Sequence, residues 1–415
     1  MYGGHIVDDM DRILNNAYLD YILGDKLLED LDLVPYPSSN PVMKVNPIKT
    51  PINNTVYPFE IWNTYIDAVI TSESPALFGL HPNAELEYRI TQTNTLFKNL
   101  IDLEPKDSSG GGGEGDSEGN KFENVKNQAD DIISRSSDGL FDILKMKQTR
   151  EGDLTPDQNV FMQECEQMKS LCDTIKKNCK DIIDAIDGKL TMDERIESLI
   201  FSLSFGRVPA KWISDGFATN RGLASWLKSL MARSDQLKQF ESNDNVCPRV
   251  VFINRLFNPL SYLTAVRQLA ARKLDQELDK LDILTEPSNY YLKDNEPKGI
   301  VFKESQGVPI YGLHLQGCRF DEDNKVLDES RPKESFFVLP IIFCKVMSVE
   351  FLDPKKDLKN SYICPMYKTI DRQSTFVCFA QFRTKAPPAK WTIAGVAVIL
   401  DCEKTDHIVT LKFGT

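Results

Sequence analysis

Residues 155–188, TPDQNVFMQECEQMKSLCDTIKKNCKDIIDAIDG, carry the reading that decides the fold. Thr155 is a preferred helix N-cap, Pro156 suits the first helical position, and Gln158 stands where a capping box needs it. Asp157 puts negative charge in the first turn, and Gly188 supplies a stop. Between these signals Phe161, Cys165, Met168, Cys172, Ile175, Cys179, Ile182 and Ile186 recur at alternating steps of four and three. That spacing draws one apolar stripe along a single helix. Such a helix would run roughly 45 Å, so it needs other helices to lie against. This pattern belongs to a scaffold rather than to a catalytic constellation.

The sequence on both sides supplies those helices. Residues 6–22 read as a helix with Asp8, Asp9 and Asp11 near its start and Ile13, Leu14, Ala17, Tyr18 and Tyr21 on one side. Prolines at 35, 37, 41, 47 and 51 break regular structure, so 33–51 is expected as an extended connection. Helix resumes after Pro58 through Phe59, Trp62, Ile66 and Val69, and 78–83 form a turn. The next helix turns Leu86, Ile90, Thr93, Phe97 and Leu100 inward. Residues 106–120, KDSSGGGGEGDSEGN, can bury nothing and read as a flexible linker, followed by a weakly helical 122–145.

Past the long helix, a second capping box at Thr191 to Glu194 opens a helix with Ile196, Leu199, Ile200 and Leu203. Pro209 and Trp212 mark a turn. Residues 222–237 are amphipathic through Leu223, Trp226, Leu230, Ser234 and Leu237. Another helix runs from Asn258-Pro259 to about Leu281, with Leu263, Val266, Ala270, Leu274 and Leu278 inward. From about residue 299 the period shortens to two. Strands are expected at 300–303, 309–317, 336–346, 361–369, 375–383, 391–400 and 407–413, with Phe376, Cys378, Ala380 and Phe382 sharing one face. Short strands separated by DEDNK, DPKKD and KAPPAK turns suggest a compact β-barrel or sandwich. The fold class is therefore α+β.

A net charge of −12 over 415 residues argues against nucleic acid or anionic lipid as a broad partner. No run approaches the ~18 consecutive apolar residues that a membrane span needs. The first residues, MYGGHIVDDMD, lack the basic and apolar regions of an export signal. Nine scattered cysteines then fit reduced thiols. Cys165, Cys172 and Cys179 share a helical face, but their seven-residue steps set the sulfurs ~10 Å apart along the axis, too far for one zinc. They read as core residues. His5, His81, His314 and His407 stand singly, without HExxH spacing. Glycines 110–113 precede Glu114 and Asp116 rather than GK[ST], so they form no phosphate loop. No GxSxG occurs, and Asp8/Asp9 and Asp130/Asp131 sit where solvated helix faces are expected. Trp62, Trp212, Trp226 and Trp391 read as core, with partner anchoring as the alternative. No catalytic, cofactor-binding or metal-ligating residue can be named from these patterns.

Several stretches, in order, resemble one family: the C-terminal end of axonemal dynein heavy chains, especially the outer-arm type. They are YGGHIVDDMDR (2–12), LFGLHPNAE (77–85), the glycines at 110–113, MQECEQM (162–168), VPAKW (208–212) and GLASWLKSL (222–230). LFNPLSYLTAVRQLAAR (256–272), YGLHLQGCRFD (311–321), ESRPKE (329–334), VLPII (338–342), YICPMYKT (362–369) and TKAPPAKWTIAGVAVIL (384–400) complete the set. His5 stands where arginine is usual, 252–255 replace a Trp-Leu-Ser-Gly-like turn, Phe320 replaces a tryptophan, and about 15 residues follow Leu400 where relatives tend to stop.

The resemblance implies that 1–105 end a sixth AAA+ module, chiefly its small helical subdomain, with 106–124 as a flexible loop. It implies a helical C-terminal domain over 125–295 and an antiparallel β-barrel cap over 296–415. The family role is to brace and regulate the AAA+ ring of an ATP-driven microtubule motor in cilia or flagella. Implied partners are the remaining AAA+ modules of the same heavy chain, and intermediate chains, light chains and microtubules through the intact complex. ATP and Mg belong to the intact motor, with no cofactor expected here, and Met1 beside Tyr2-Gly3-Gly4 suggests a piece of a longer polypeptide. The rival readings are a free-standing ciliary interaction module and a small enzyme with a pocket in the β-region.

Overall fold

A computed structural model describes residues 5–23, 80–102, 118–136, 141–148, 153–217, 222–292, 307–331, 334–348, 360–370, 372 and 375–400. The expected connection at 33–51, the helix after Pro58, the glycine run at 110–113 and the strands at 300–303 and 407–413 lie outside these residues. The helices are α1 (Asp9–Ile22), α2 (Pro82–Asp102), α3 (Glu118–Ser136), α4 (Ile143–Gln148), α5 (Pro156–Ile186), α6 (Glu194–Ser204), α7 (Ala210–Asp215), α8 (Leu223–Ser242), α9 (Pro259–Leu274) and α10 (Pro388–Ile393). The strands are β1 (Val251–Phe252), β2 (Leu281–Pro287), β3 (Val308–Tyr311), β4 (His314–Gln316), β5 (Arg319–Asp321), β6 (Val326–Asp328), β7 (Phe336–Val338), β8 (Ile342–Ser348), β9 (Ser361–Tyr367), β10 (Phe376–Arg383) and β11 (Ala397–Ile399).

The protein divides into two compact units, one from Met1–Gly111 with Thr384–Val396, the other from Gly112–Arg383 with Ala397–Thr415. In the larger unit α5 is the axis. Thr155 N–H donates to Gln158 Oε1 at 3.0 Å, closing the expected capping box, and the Thr155 hydroxyl also donates to Asp157 Oδ1 at 2.6 Å. Gly188 ends the helix at φ +74°, a conformation that suits glycine. Phe161, Cys165, Met168, Cys172, Ile175, Cys179 and Ile182 are all buried, and α3, α4, α6, α7, α8 and α9 pack around the helix. The Phe161 ring lies 5.2 Å from Phe240 of α8 and 5.9 Å from Tyr262 of α9, centroid to centroid. Trp212 of α7 stacks on Trp226 of α8 at 6.0 Å. The stripe expected on α8, from Leu223 to Leu237, is buried throughout.

Some local expectations are corrected. The N-cap of α6 is Asp193, which accepts from Ile196 N–H at 2.7 Å, rather than Thr191. Residues 210–215 form a short helix instead of a bare turn. The helix starting after Asn258 stops at Leu274, where Asp275 takes φ +51°, and the backbone then enters β2. Helix α3 begins at Glu118, within the stretch expected as linker. Residues 388–393 are helical, so only 397–399 of the strand expected at 391–400 forms.

The expected antiparallel barrel is also corrected. The strands form three open sheets, ordered β1-β3-β8-β2, β10-β9-β11-β4-β7 and β5-β6, with no closing pair among the described residues. β1 runs parallel to β3 and β11 parallel to β9, so the set is mixed. Two physical reasons are visible. The run 336–346 is broken at Leu339-Pro340-Ile341: Leu339 N–H donates to Leu313 C=O and Ile341 N–H to Tyr290 C=O, which moves the backbone from one sheet to the other. Where β2 and β10 approach, a side chain replaces the ladder. The Thr285 hydroxyl accepts from Gln381 N–H at 2.7 Å and donates to Gln381 C=O at 2.8 Å. A register shift between Phe376 and Cys378 changes which face of β10 is inside: Val377, Ala380 and Phe382 are buried while Phe376 is exposed.

The smaller unit joins the two ends of the sequence. Asp8 caps α1 by accepting from Met10 N–H at 2.7 Å. Tyr18 of α1 donates its hydroxyl to Ile393 C=O at 3.3 Å, and Asn83 Nδ2 at the start of α2 donates to Ala394 C=O at 3.0 Å. Trp391 is buried, with its indole N–H donating to Thr384 Oγ1 at 2.6 Å.

Candidate functional site

The thiols of α5 are packing groups. Burial pushes the Cys172 and Cys179 thiols up to about 12 and raises Cys165 as well, so little reactive thiolate forms near neutral pH. Among the described residues, no three His, Cys, Asp or Glu side chains gather as a metal site. His5 is exposed, His314 is buried on β4, and His81 Nδ1 accepts from Asn83 N–H at 3.2 Å. These histidines are not brought together, and His407 lies outside the described residues. Asp130 and Asp131 are not gathered with any such group either; Asp131 is exposed and pairs with Arg135 at 2.8 Å. Trp212, Trp226 and Trp391 are buried core residues rather than surface anchors; Trp62 lies outside the described residues.

The most unusual chemistry is a buried cluster around Glu164, on the polar shoulder of the α5 stripe. Its carboxylate accepts from Phe257 N–H at 2.6 Å and Asn258 N–H at 2.8 Å, at the entry to α9. Arg233 of α8 and Lys368, just past β9, are its cationic neighbours. Arg233 Nη1 donates to Leu256 C=O at 2.9 Å and its guanidinium lies 4.0 Å from the Phe217 ring centroid. Lys368 Nζ donates to Phe257 C=O at 3.1 Å. Burial raises the Glu164 pKa, opposed by the two backbone hydrogen bonds and then by the two cations; burial lowers that of Lys368. Carboxylate and cations are all turned to the backbone of 256–258. The arrangement locks α5, α8 and the end of β9 onto one turn.

Sequence reasoning singled out none of these three residues as a site. Glu164 entered only within the helix 155–188 and MQECEQM, Lys368 only within the strand 361–369 and YICPMYKT, and Arg233 only within the amphipathic stretch 222–237. The available signal was a carboxylate directly beside Cys165 of the apolar stripe, where solvent access is poorest.

The second feature is uncovered apolar surface on the smaller unit. On α1, Ile13 is 50% and Tyr21 57% exposed. On α2, Leu86, Thr93 and Phe97, all expected inward, are exposed instead, and Leu96 and Phe97 are each 58% exposed. Such apolar side chains are exposed on both α1 and α2 of this unit.

The family model for the C-terminal domain of the dynein heavy chain matches residues 90–400. The protein belongs to that family. Over 401 residues this dynein C-terminal sequence is 35% identical to the ciliary dynein beta chain of Heliocidaris crassispina, an alignment spanning 96% of the present sequence and 8% of that protein. It is 34% identical over 406 residues to the flagellar outer arm dynein beta chain of Chlamydomonas reinhardtii, spanning 97% and 8% respectively. With human dynein axonemal heavy chain 17 the identity is 33% over 401 residues, 96% of the present sequence and 8% of that one. The present sequence thus spans about 8% of the length of these curated relatives. No helix among the described residues is long and apolar enough to cross a membrane.

Proposed function

We propose that this chain is the non-catalytic C-terminal portion of an axonemal dynein heavy chain, bracing and regulating the AAA+ ring of an ATP-driven microtubule motor. Its site of action is the axoneme of a cilium or flagellum. Its direct partners are the remaining AAA+ modules of the same heavy chain; intermediate chains, light chains and microtubules are engaged through the whole complex. Residues 1–105 end the sixth AAA+ module, and the helical and β-rich remainder is the C-terminal domain. ATP and Mg are held elsewhere in the motor.

The observation that carries this reading is the open apolar face of α2, where Leu96 and Phe97 stand exposed. A helix buried against further modules of one polypeptide would look this way when those modules are absent. The names of the relatives and the lack of any GK[ST] in the sequence support the same assignment. The reading is tested in the full-length motor by replacing Leu96→Asp and Phe97→Asp together, with Gln92→Asp as an exposed polar control. Microtubule-stimulated ATP turnover is expected to change several-fold in the double variant and not in the control. A double variant that matches wild type in turnover and in gliding speed rules out a bracing contact through α2. In parallel, the protein alone is expected to give no turnover of Mg-ATP above blank.

A further inference from the structure

The β-rich part of the larger unit gathers sulfur. Met366 of β9 and Cys378 of β10 stand opposite one another in the ladder, and their sulfurs are 4.0 Å apart. Cys344 of β8 lines the same groove, beside α9, and lies within electrostatic reach of Cys378. Both cysteines are free. Cys344 and Met366 are each 1% exposed and Cys378 is half-buried, so all three belong to the inner wall, whichever part of the chain lies over the mouth. Burial, and then the charge of Asp282, pushes the Cys378 thiol up to about 12; burial raises Cys344 as well. Both thiols therefore rest protonated, and a ligand that wants thiolate must displace their protons.

Two thiols and a thioether select among metals. Hard cations take oxygen and structural zinc takes four nitrogen or thiolate ligands, whereas thiolate joined by thioether suits Cu(I). A metal about 2.3 Å from each sulfur, the length of a metal–thiolate bond, sets trigonal ligands about 4.0 Å apart. That is the separation found between Cys378 and Met366. Sulfurs also meet on α5, where Cys172 Sγ lies 3.8 Å from Met168 Sδ, but both are enclosed in the core and leave a metal no way in. Charge in the groove agrees with a bis-thiolate site, which carries one net negative charge around Cu(I). Arg267 of α9 lines the wall, and its Nε is buried with no hydrogen-bond partner among the described residues. Its Nη2 donates to Leu278 C=O at 3.0 Å and Leu281 C=O at 2.9 Å, which fixes the guanidinium in place. Asp282, the carboxylate among the described lining residues, is exposed and turned to its own backbone, accepting from Ile283 N–H at 2.8 Å.

We propose that Cys344, Cys378 and Met366 form a binding site for a soft monovalent metal ion, Cu(I), held by two thiolates and a thioether. Binding breaks two S–H bonds and forms three metal–sulfur bonds; both protons leave to solvent and no electron is transferred. This goes beyond the bracing role and does not depend on it. The complete protein, reduced and under argon, is titrated with Cu(I) in competition with a colorimetric chelator, beside Cys378→Ser, Met366→Leu and, as a thiol outside the groove, Cys247→Ser. Wild type and Cys247→Ser are expected to withdraw one equivalent that Cys378→Ser does not hold. Met366→Leu, which nearly conserves volume, is expected to hold it about 10-fold more weakly. X-ray absorption of the loaded wild type should show a metal shell of sulfur alone, at about 2.3 Å. Failure of wild type to withdraw the ion overturns the proposal, as does equal retention by Cys378→Ser or a shell containing nitrogen or oxygen. If Cys378→Ser does not fold, Met366→Leu and the metal shell decide: unchanged affinity in that variant counts against the site.

Discussion

The Glu164 carboxylate sits where two backbone N–H groups, a guanidinium and an ammonium converge, and removing it takes the acceptor from both N–H groups and the counter-charge from two cations that keep their backbone carbonyl partners. A broken buried charge cluster costs more than its intact net worth, because the remaining charges stay desolvated. Glu164→Ala is therefore expected to lower stability by about 3–5 kcal/mol, read from the urea midpoint at constant m. Glu164→Gln keeps an acceptor oxygen and is expected to cost less. The two also separate by pH. Burial raises the folded-state pKa of Glu164, so the folded protein keeps this proton to higher pH than the unfolded one does. The contribution of that proton is complete below the unfolded pKa and is lost as pH rises through the folded one. The advantage of wild type over Glu164→Gln should shrink across that window, and a gap that widens with pH would refute the burial argument.

At the scale of elements, the start of α6 offers a direct contrast. Two candidate caps lie close together, Thr191 and Asp193, and only Asp193 reaches the Ile196 N–H. Asp193→Ala should cost about 1 kcal/mol and Thr191→Ala little, both read by thermal denaturation; equal losses would return the cap to Thr191. Elements built from one uninterrupted stripe are legible in the sequence: α5 and α8 each bury a single face over many turns, so spacing alone specifies them. β2 is not, because LDILTEP follows α9 closely and Leu274, Leu278 and Leu281 continue a helical spacing. The left-handed turn at Asp275 that ends the helix has no glycine to announce it. The run 336–346 reads as one strand because both halves are apolar, and the change of sheet at Pro340 is set by partners at Leu313 and Tyr290. The Glu164 cluster is illegible for a similar reason. Phe257 lies 93 residues from Glu164 and belongs to a loop whose position no local pattern encodes.

At the scale of the whole molecule, the smaller unit takes its N-terminal helices from one end of the sequence and Thr384–Val396 from the other. Its stability thus depends on a return of the backbone that no N-terminal pattern could reveal, and α1 and α2 are held in part by carbonyls of residues 393 and 394. Trp391 anchors that return: it is buried and its indole N–H is bonded to Thr384, whose hydroxyl also accepts from Ala386 N–H at 3.0 Å and so shapes the turn. Removing so large a buried ring typically costs about 3–5 kcal/mol, and in a protein of two units that loss should fall first on the unit containing it. Trp391→Ala is therefore expected to speed amide exchange in α1 and in the first turns of α2, hundreds of residues away in sequence, while α5 keeps its protection. Hydrogen exchange with mass detection distinguishes the outcomes. If α5 loosened as much as α1, the two units would unfold as one, and if neither changed, the return segment would not be what secures the N-terminal helices.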